Sequence, residues 1–449
     1  MPHLSPIDLG SPRLGRTLVR IALPTVGGLT INATHQGVDA YFVGQLGPEA
    51  LAAVSLALPL AGVTAALGVG LGVGCATHVA RALGAGTRAE AGQVASAAMG
   101  LCLLLATILA GVLWSGRGVL PDLLGAAEGV AVPAQAYLSI MAFSAALGMV
   151  QILCDFIAIG EGNARFSLLT LCLCFGLNIL LDPLLIFTAG LGVSGAALAT
   201  VLAQLATLML YVWYFARNRG ALRLRPNLNP AARTWLWPVL RVGLPEAVSV
   251  LLTSLVFVVM YHMAGRLEGA EGQAAMGIAL RLWLMASLPV EGFCLGAQPL
   301  LSHAAGAGNL LRLNHAMFWI AGVSVSGGVL MAISGLLAPL PLVQFFTDNE
   351  TVTALAVPAV CLLSMSLPAV ALRHATQVLL QATLRVRLAA VLALAPLGWL
   401  LLPLLIWLVP RFGFDALALS LAAATLLTGV GAALILWRMP RPSNSGVLA

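Results

Sequence analysis

The sequence predicts an all-α integral membrane protein with twelve transmembrane helices in two pseudo-symmetric six-helix lobes. Three observations predict this fold class: the composition, the spacing of long apolar runs, and an internal duplication. Hydrophobic residues make up 60% of the 449-residue chain and charged residues only 8%, whereas a soluble domain carries about 25% charged residues. The composition therefore excludes a soluble globular protein.

Twelve runs of mainly apolar residues are each long enough to cross a bilayer, which takes about 20 helical residues. They lie at residues 17–43, 48–76, 91–115, 133–160, 165–188, 192–217, 236–265, 272–300, 315–338, 353–381, 385–409 and 414–438. The sequence contains no P-loop, no nucleophile with an ordered base, and no metal-ligand spacing. We therefore expect a protein that is not an enzyme and that needs no cofactor.

The basic residues predict the orientation of the chain in the membrane. All 22 are Arg, and seventeen of them fall at the N-terminus, in even-numbered loops or at the C-terminus. By the positive-inside rule, both termini are then cytoplasmic. The net charge of +6 follows from this topology and does not indicate nucleic-acid binding. We expect the first span to insert without a cleavable signal, and we expect a multi-pass protein in the lipid bilayer of the bacterial inner membrane.

Three stretches of the first half recur in the second half at offsets of 221, 222 and 220 residues. The pairs are RIALPT (20–25) with RVGLPE (241–246), GLGVGCATHVARALGAG (70–86) with GFCLGAQPLLSHAAGAG (292–308), and LDPLLIF (181–187) with LLPLLIW (401–407). Each half has an even number of spans, so the repeats are parallel, a design typical of transporters. We predict an N-terminal lobe at 1–218, a cytoplasmic loop at 219–234, and a C-terminal lobe at 235–449.

Several stretches together resemble the MATE (multidrug and toxic compound extrusion) family. They are VDAYFVGQLGPEALAAVSLA from the first span, GCATHVARALGAGTRAEAG with its counterpart GAQPLLSHAAGAGN, and GEGNARFSLL after the fourth span. The resemblance implies an antiporter that couples inward flow of Na⁺ or H⁺ to export of bulky drugs. We expect a monomer that exports small organic cations or other amphiphilic compounds.

The resemblance also implies a cation or proton site in the N-terminal lobe. The matching positions are Asp39, Asp155, Asn178, Asp182 and Thr200. Position 155 is typically an amide in the family, and here it is a carboxylate. The remaining four positions are the candidate ligands for Na⁺.

Residue counts along the spans give these positions approximate depths. At 1.5 Å per helical residue, Asp39 lies about 28 Å from Arg20, and both Asp182 and Thr200 lie about 26 Å from the nearest cytoplasmic Arg. Asn178 lies one turn below Asp182 on the same face. Two carboxylates in one dry pocket cannot both remain charged at low cost, so the pair favours uptake of H⁺ or Na⁺. The same oxygens serve either ion, and a purely structural carboxylate remains the competing interpretation.

Other side chains are candidates for a bend and for the cargo cavity. Pro183 predicts a hinge in the fifth span, because proline removes a backbone donor. The candidate cavity residues are His35, Met260, Tyr261, Trp283, Glu291 and Phe293. The leading hypothesis is a cation-coupled exporter of lipophilic, often cationic, drugs, working by alternating access of two lobes. The alternative is a flippase for lipids or lipid-linked precursors, for which a strongly basic cavity would be expected.

Overall fold

The structure, a computed structural model, describes residues 6–124, 129–217, 219–222, 224 and 230–438, and contains no strand in these ranges. The part of the predicted loop 219–234 that comprises residues 223 and 225–229 lies outside the described residues. The helices are α1 Leu14–Gly44, α2 Pro48–Ser55, α3 Leu58–Gly84, α4 Arg88–Gly116, α5 Leu120–Leu123, α6 Ala131–Gly160, α7 Ala164–Pro183, α8 Gly192–Ala216, α9 Pro230–Gly306, α10 Leu310–Leu337, α11 Pro339–Gln344, α12 Glu350–Met365, α13 Leu367–Ala382, α14 Val386–Leu394, α15 Leu401–Phe412 and α16 Asp415–Arg438.

Each predicted span coincides mainly with helix, although several spans differ from the prediction in continuity. Nine helical segments of the described chain are long and apolar enough to cross a membrane. Spans seven and eight form the single element α9, which leaves helical geometry only at Glu268 and Gly269. Span eleven is interrupted between α14 and α15. Pro396 lies in this interruption and lacks a backbone N–H to donate, and Gly398 has a low helix propensity.

The chain divides by its internal contacts into two compact units. Unit 1 comprises the described residues of Met1–Leu9 and Gly27–Ala247, and unit 2 those of Gly10–Val26 and Val248–Ala449. The boundary within α1 and the boundary within α9 lie 221 residues apart, which equals the offset of the repeat. The start of each half's first span therefore belongs to the unit built mainly from the other half. The predicted lobes at 1–218 and 235–449 follow the repeat and remain a prediction.

Glycines on α3 allow the start of α9 to pack closely within unit 1. A Cβ at Gly74 would collide with the carbonyl oxygen of Val239, and one at Gly70 would lie 2.8 Å from the Cβ of Ala247. Unit 2 contains the corresponding contact, because a Cβ at Gly296 would lie 2.8 Å from the Cα of Ala22. Small residues let membrane helices approach at the backbone, so these glycines hold the exchanged segments in place.

Packing around α6 and α7 positions the polar residues of unit 1. α6 packs against α3, α4, α7 and α8, and α7 packs against α8. Alanine and glycine line much of α3 and α4 where they are buried. The resulting close approach leaves little room inside unit 1, so every polar side chain enclosed there must be matched by a partner or by a ligand.

Candidate functional site

The candidate site lies in unit 1 and is built from α1, α7 and α8. Asp182 and Asn178 are one turn apart on α7, and both are essentially inaccessible, with 0% and 1% of their surfaces exposed. Thr200 is on α8, and His35 and Asp39 are one turn apart on α1. The i, i+4 spacing on two of the helices aims each pair of side chains in one direction.

The amide of Asn178 joins the three helices. With its nitrogen toward α1, it donates to Nε2 of His35 at 2.5 Å and to Oδ2 of Asp182 at 3.2 Å. Its oxygen then accepts from the backbone N–H of Thr200 at 3.1 Å and from the Thr200 hydroxyl at 3.3 Å. These partners define the amide orientation. His35 accepts through Nε2 in this arrangement, and its ring stacks on Phe175 with centroids 4.5 Å apart.

Asp182 keeps one oxygen without a partner. Oδ2 accepts from Asn178, but Oδ1 is buried and has no hydrogen-bond partner among the described residues. A buried polar atom in this condition indicates strain, a functional role, or a bound water or ion. The charge of Asp39 is close enough to act on that of Asp182, and His35 acts on Asp39 in turn. The two carboxylates and the imidazole thus act on one another by charge at the junction of α1 and α7.

Tyr137 on α6 belongs to the same neighbourhood, although the sequence did not indicate it. It is buried, and the charges of Asp39 and Asp182 both act on its phenol. A tyrosine within an apolar span carries no periodic signal that separates it from ordinary packing residues. Only the approach of α6 to α1 and α7 in three dimensions brings Tyr137 to the carboxylates.

Asp155 lies apart from Asn178 and Asp182 in a cluster of hydroxyl groups. Its Oδ1 accepts from Ser167 at 2.9 Å, from Thr170 at 3.2 Å, and from the phenol of Tyr211. None of the hydrogen bonds described for Asp155 reaches Asn178 or Thr200. The five positions expected to form one site therefore divide into two groups, with four at the junction of α1, α7 and α8 and Asp155 in the other.

Pro183 ends α7, and a π-helical turn, Leu184–Thr188, follows it directly. Proline supplies no N–H to the carbonyl one turn earlier, and π-helical turns are frequent at functional sites. Asp182 therefore immediately precedes a local irregularity in its own helix.

The candidate cargo residues of the second half occupy different environments in unit 2. Met260 is fully buried in a packed core, so it does not line a cavity in this conformation. Trp283 donates from its indole to Ser366 at 3.1 Å, and Phe293 packs against a second core. Tyr261 is 42% exposed. Glu291 is partly buried, and the charges of both Glu291 and Arg373 act on the thiol of Cys294.

Arg373, one of two arginines within the predicted spans, is buried and bonds to two side chains of its own helix. It donates to Oε1 of Gln377 at 2.7 Å and to Nε2 of His374 at 2.5 Å. An arginine held in this way does not form an open basic surface. The strongly basic cavity expected for a lipid flippase is therefore not built on Arg373.

The family model described as MatE matches residues 24–184 and again residues 245–407. The chain belongs to the MatE family. The second match begins 221 residues after the first, in agreement with the duplication found in the sequence. The family consists of transporters, so the expectation that the protein is not an enzyme is confirmed, as is the expected resemblance.

Curated relatives of this MatE-family chain include the multidrug export protein MepA of Staphylococcus aureus, which is 26% identical over 427 residues, covering 94% of this chain and 93% of the relative. MepA of Staphylococcus haemolyticus is 25% identical, and the match covers 91% of this chain and 90% of the relative.

Solved structures with the same fold include an outward-facing multidrug resistance MATE transporter of the MOP superfamily, at 24% identity and a TM-score of 0.88 over 96% of each chain. A mutant of the Vibrio cholerae MATE transporter VcmN gives 23% identity and a TM-score of 0.89 over 96% of this chain and 98% of that one. These likenesses confirm the predicted fold class of twelve transmembrane helices in two lobes.

Proposed function

We propose that this MatE-family protein exports lipophilic, often cationic, compounds in exchange for inward-moving H⁺ or Na⁺. Asp39 and Asp182 form the coupling site, and Asn178 and Thr200 complete it. The protein works as a monomer by alternating access of its two lobes in the bacterial inner membrane, with both termini cytoplasmic. The relatives named as multidrug exporters support this cargo class over the flippase alternative.

The proposal rests on Oδ1 of Asp182, which is buried beside the charge of Asp39 and has no hydrogen-bond partner in the part of the chain that the structure describes. An ionised carboxylate in this position is costly inside a membrane, and a proton or cation relieves the cost. Asn178 meanwhile donates an N–H to the other oxygen of Asp182. A metal ion needs oxygen lone pairs, so Na⁺ would require the amide to rotate and present its oxygen, whereas H⁺ would not.

The oxygen donors fit a hard cation. Carboxylate, amide and hydroxyl oxygens from Asp39, Asp182, Asn178 and Thr200 are the ligand types that Na⁺ accepts in place of water. Pro183 and the π-helical turn after it lie next to Asp182. A change of charge at Asp182 would therefore act directly beside a break in the helix, where bending costs the least free energy.

The test is transport of ethidium by the purified protein in liposomes under a separately imposed pH gradient or Na⁺ gradient. Asp182→Asn and Asp39→Asn each remove a charge while nearly preserving shape. Each should reduce gradient-driven export about 5- to 150-fold, the range of a coupling free energy of about 1–3 kcal/mol. The double variant should be little worse than either single variant, because the two groups act as one site.

The matched control is Asp122→Asn, the same chemical change at an exposed carboxylate on α5. It should export at the wild-type rate. Near-normal coupled export by well-folded Asp182→Asn protein would show that the carboxylate is structural and would refute the coupling site. Wild-type protein that moves lipids but no organic cation would favour the flippase.

A further inference from the structure

The buried face of α7 is polar along the length of the helix. Besides Ala164 and Phe166, it consists of a row of side chains three or four residues apart. The members of the row, including the capping residue, are Asn163, Ser167, Thr170, Cys174, Asn178 and Asp182. The exposed face instead carries Leu169, Leu173 and Leu180. Polar groups enclosed at membrane depth are costly, and where they occur they mark ion pathways and proton relays.

Asp155 meets this polar row near its middle. The hydroxyls of Ser167 and Thr170, both members of the row, converge with the phenol of Tyr211 on Oδ1 of Asp155. The Thr170 hydroxyl also lies 3.0 Å from the phenol oxygen of Tyr211. Three hydroxyls around one carboxylate oxygen support its charge, and each of them can also accept a proton while donating its own.

The cytoplasmic end of the row leads to a second buried carboxylate. Asn163 donates from its amide to the phenol oxygen of Tyr214 at 3.1 Å. Glu161, two residues before Asn163, accepts from the backbone N–H of Ala221, and its Oε1 is buried with no partner among the described residues. Burial raises the pKa of Glu161 to about 8, which places its titration near neutral pH.

The row also reaches the coupling site. The thiol of Cys174 lies 3.7 Å from Oε1 of Gln151, one turn from the cluster around Asp155. Asn178 follows Cys174 by one further turn, a rise of about 6 Å along the same face of α7. Small or polar side chains thus recur at each turn of α7 from Asn163 to Asp182 within unit 1.

We propose that Asp155 is a second protonation site, through which the coupling proton passes along the polar row of α7 from Asp182 toward the cytoplasm. This inference rests on the proposed function and commits it to H⁺. Asp182 loses a proton and becomes a carboxylate, and an O–H bond forms on Asp155. Asp155 then passes the proton toward Glu161 and the cytoplasm, so one proton moves inward and nothing is oxidised or reduced.

The surroundings of Asp155 leave its charge adjustable. The titratable groups that face it are Tyr211 from α8, Cys174 from α7 and Cys154 beside it on α6. Behind Cys154 lie Cys75 on α3 and Cys102 on α4. Tyrosine and cysteine are ordinarily neutral at pH 7. A carboxyl group with neutral neighbours can take up and release a proton without breaking an ion pair.

The test compares wild type, Asp155→Asn, Tyr211→Phe and the control Asp122→Asn as full-length proteins. The first measurement follows protonated carboxyl groups by infrared difference spectroscopy from about pH 5 to about pH 9. A carboxyl C=O band that titrates in wild type should be absent from Asp155→Asn and displaced in Tyr211→Phe. This measurement needs no transport, so its result is independent of the proposed function.

The second measurement follows proton entry with a pH dye inside liposomes while ethidium is exported under a pH gradient. Asp155→Asn should lower proton flux and export together by about tenfold or more, and equilibrium binding of ethidium should be unchanged. Tyr211→Phe should retain transport with a displaced pH profile. If wild type exports only with Na⁺, if the carboxyl band persists in Asp155→Asn, or if that variant keeps wild-type proton flux, the relay is refuted. If Asp182→Asn loses coupled export but Asp155→Asn does not, the relay fails and the proposed coupling site is retained.

Discussion

Two aspartates of the same unit show how the surroundings of a carboxylate determine its use. Asp155 has three hydroxyl donors on one oxygen, so its charge is supported before any ligand arrives. Asp182 has one amide donor and an oxygen with no partner among the described residues. An uncompensated buried acceptor costs about 1–3 kcal/mol. Arrival of a cation therefore changes the energy of Asp182 more than that of Asp155.

Residue counting could predict part of this site, and the reason is geometric. A helix rises uniformly, so equal counts from the arginines that flank spans five and six place Asp182 and Thr200 at equal depth, and the structure brings Asn178 of α7 into contact with Thr200. Depth does not specify the direction in which a side chain points. Asp155 could therefore not be assigned to its hydroxyl partners, and Tyr137 could not be found at all.

Glu161 lies just beyond α6 and makes the protein's stability dependent on pH. Burial raises its pKa to about 8, above the ordinary value of 4.5, so the folded state holds a proton that the unfolded state releases. The contribution of Glu161 to the free energy of unfolding is fully present below about pH 4.5 and is lost as the pH rises through about 8. Glu161→Gln should abolish this loss. As the pH rises from about 5 to about 9, the unfolding temperature of wild type should decrease relative to that of the variant. Plots of unfolding temperature against pH that stay parallel for the two proteins would contradict the raised pKa of Glu161.

At the scale of elements, the apolar runs predicted the helices well because a membrane span must satisfy its own backbone groups. The prediction was wrong about the continuity of span eleven, which Pro396 and Gly398 divide. It also did not indicate the polar row of α7, because hydropathy averages over all faces of a helix. The leucines on the opposite face of α7 raise its average hydropathy, so the average does not show the row of six small or polar side chains.

The glycine contact between α3 and α9 gives a prediction at this scale. Gly74→Ala places a Cβ against the Val239 carbonyl, so one helix must move, at a cost of about 1–3 kcal/mol. Gly111→Ala is the matched control, since it is an exposed helical glycine with nothing within 4 Å of its Cβ position. Helix propensity should stabilise that variant by up to about 1 kcal/mol. Thermal unfolding in detergent measures both changes, and equal effects would mean that α3 and α9 do not pack closely.

At the scale of the whole molecule, the duplication was visible in the sequence, but the exchange of the first segments was not. Aligned repeats show which residues are equivalent and do not show which unit each residue packs against. Residues 10–26 belong with unit 2, and the start of α9 belongs with unit 1. The two boundaries lie at equivalent positions of the repeat, so the exchange follows the internal symmetry. Each unit thus contains a segment from the first span of the other half.

The orientation of the two halves can be tested directly with single cysteines. The seven native cysteines, of which Cys172 is exposed, are first replaced. Arg165 and Arg385 are exposed equivalents 220 residues apart, and Glu350 is exposed at the start of α12. If the repeats are parallel and the positive-inside rule holds, cysteines at both Arg positions should react with an impermeant maleimide only after cells are permeabilised. A cysteine at Glu350 should react in intact cells. Labelling of Arg165 and Arg385 from opposite sides would mean inverted repeats, and reversal of all three would invert every depth estimated for Asp39 and Asp182.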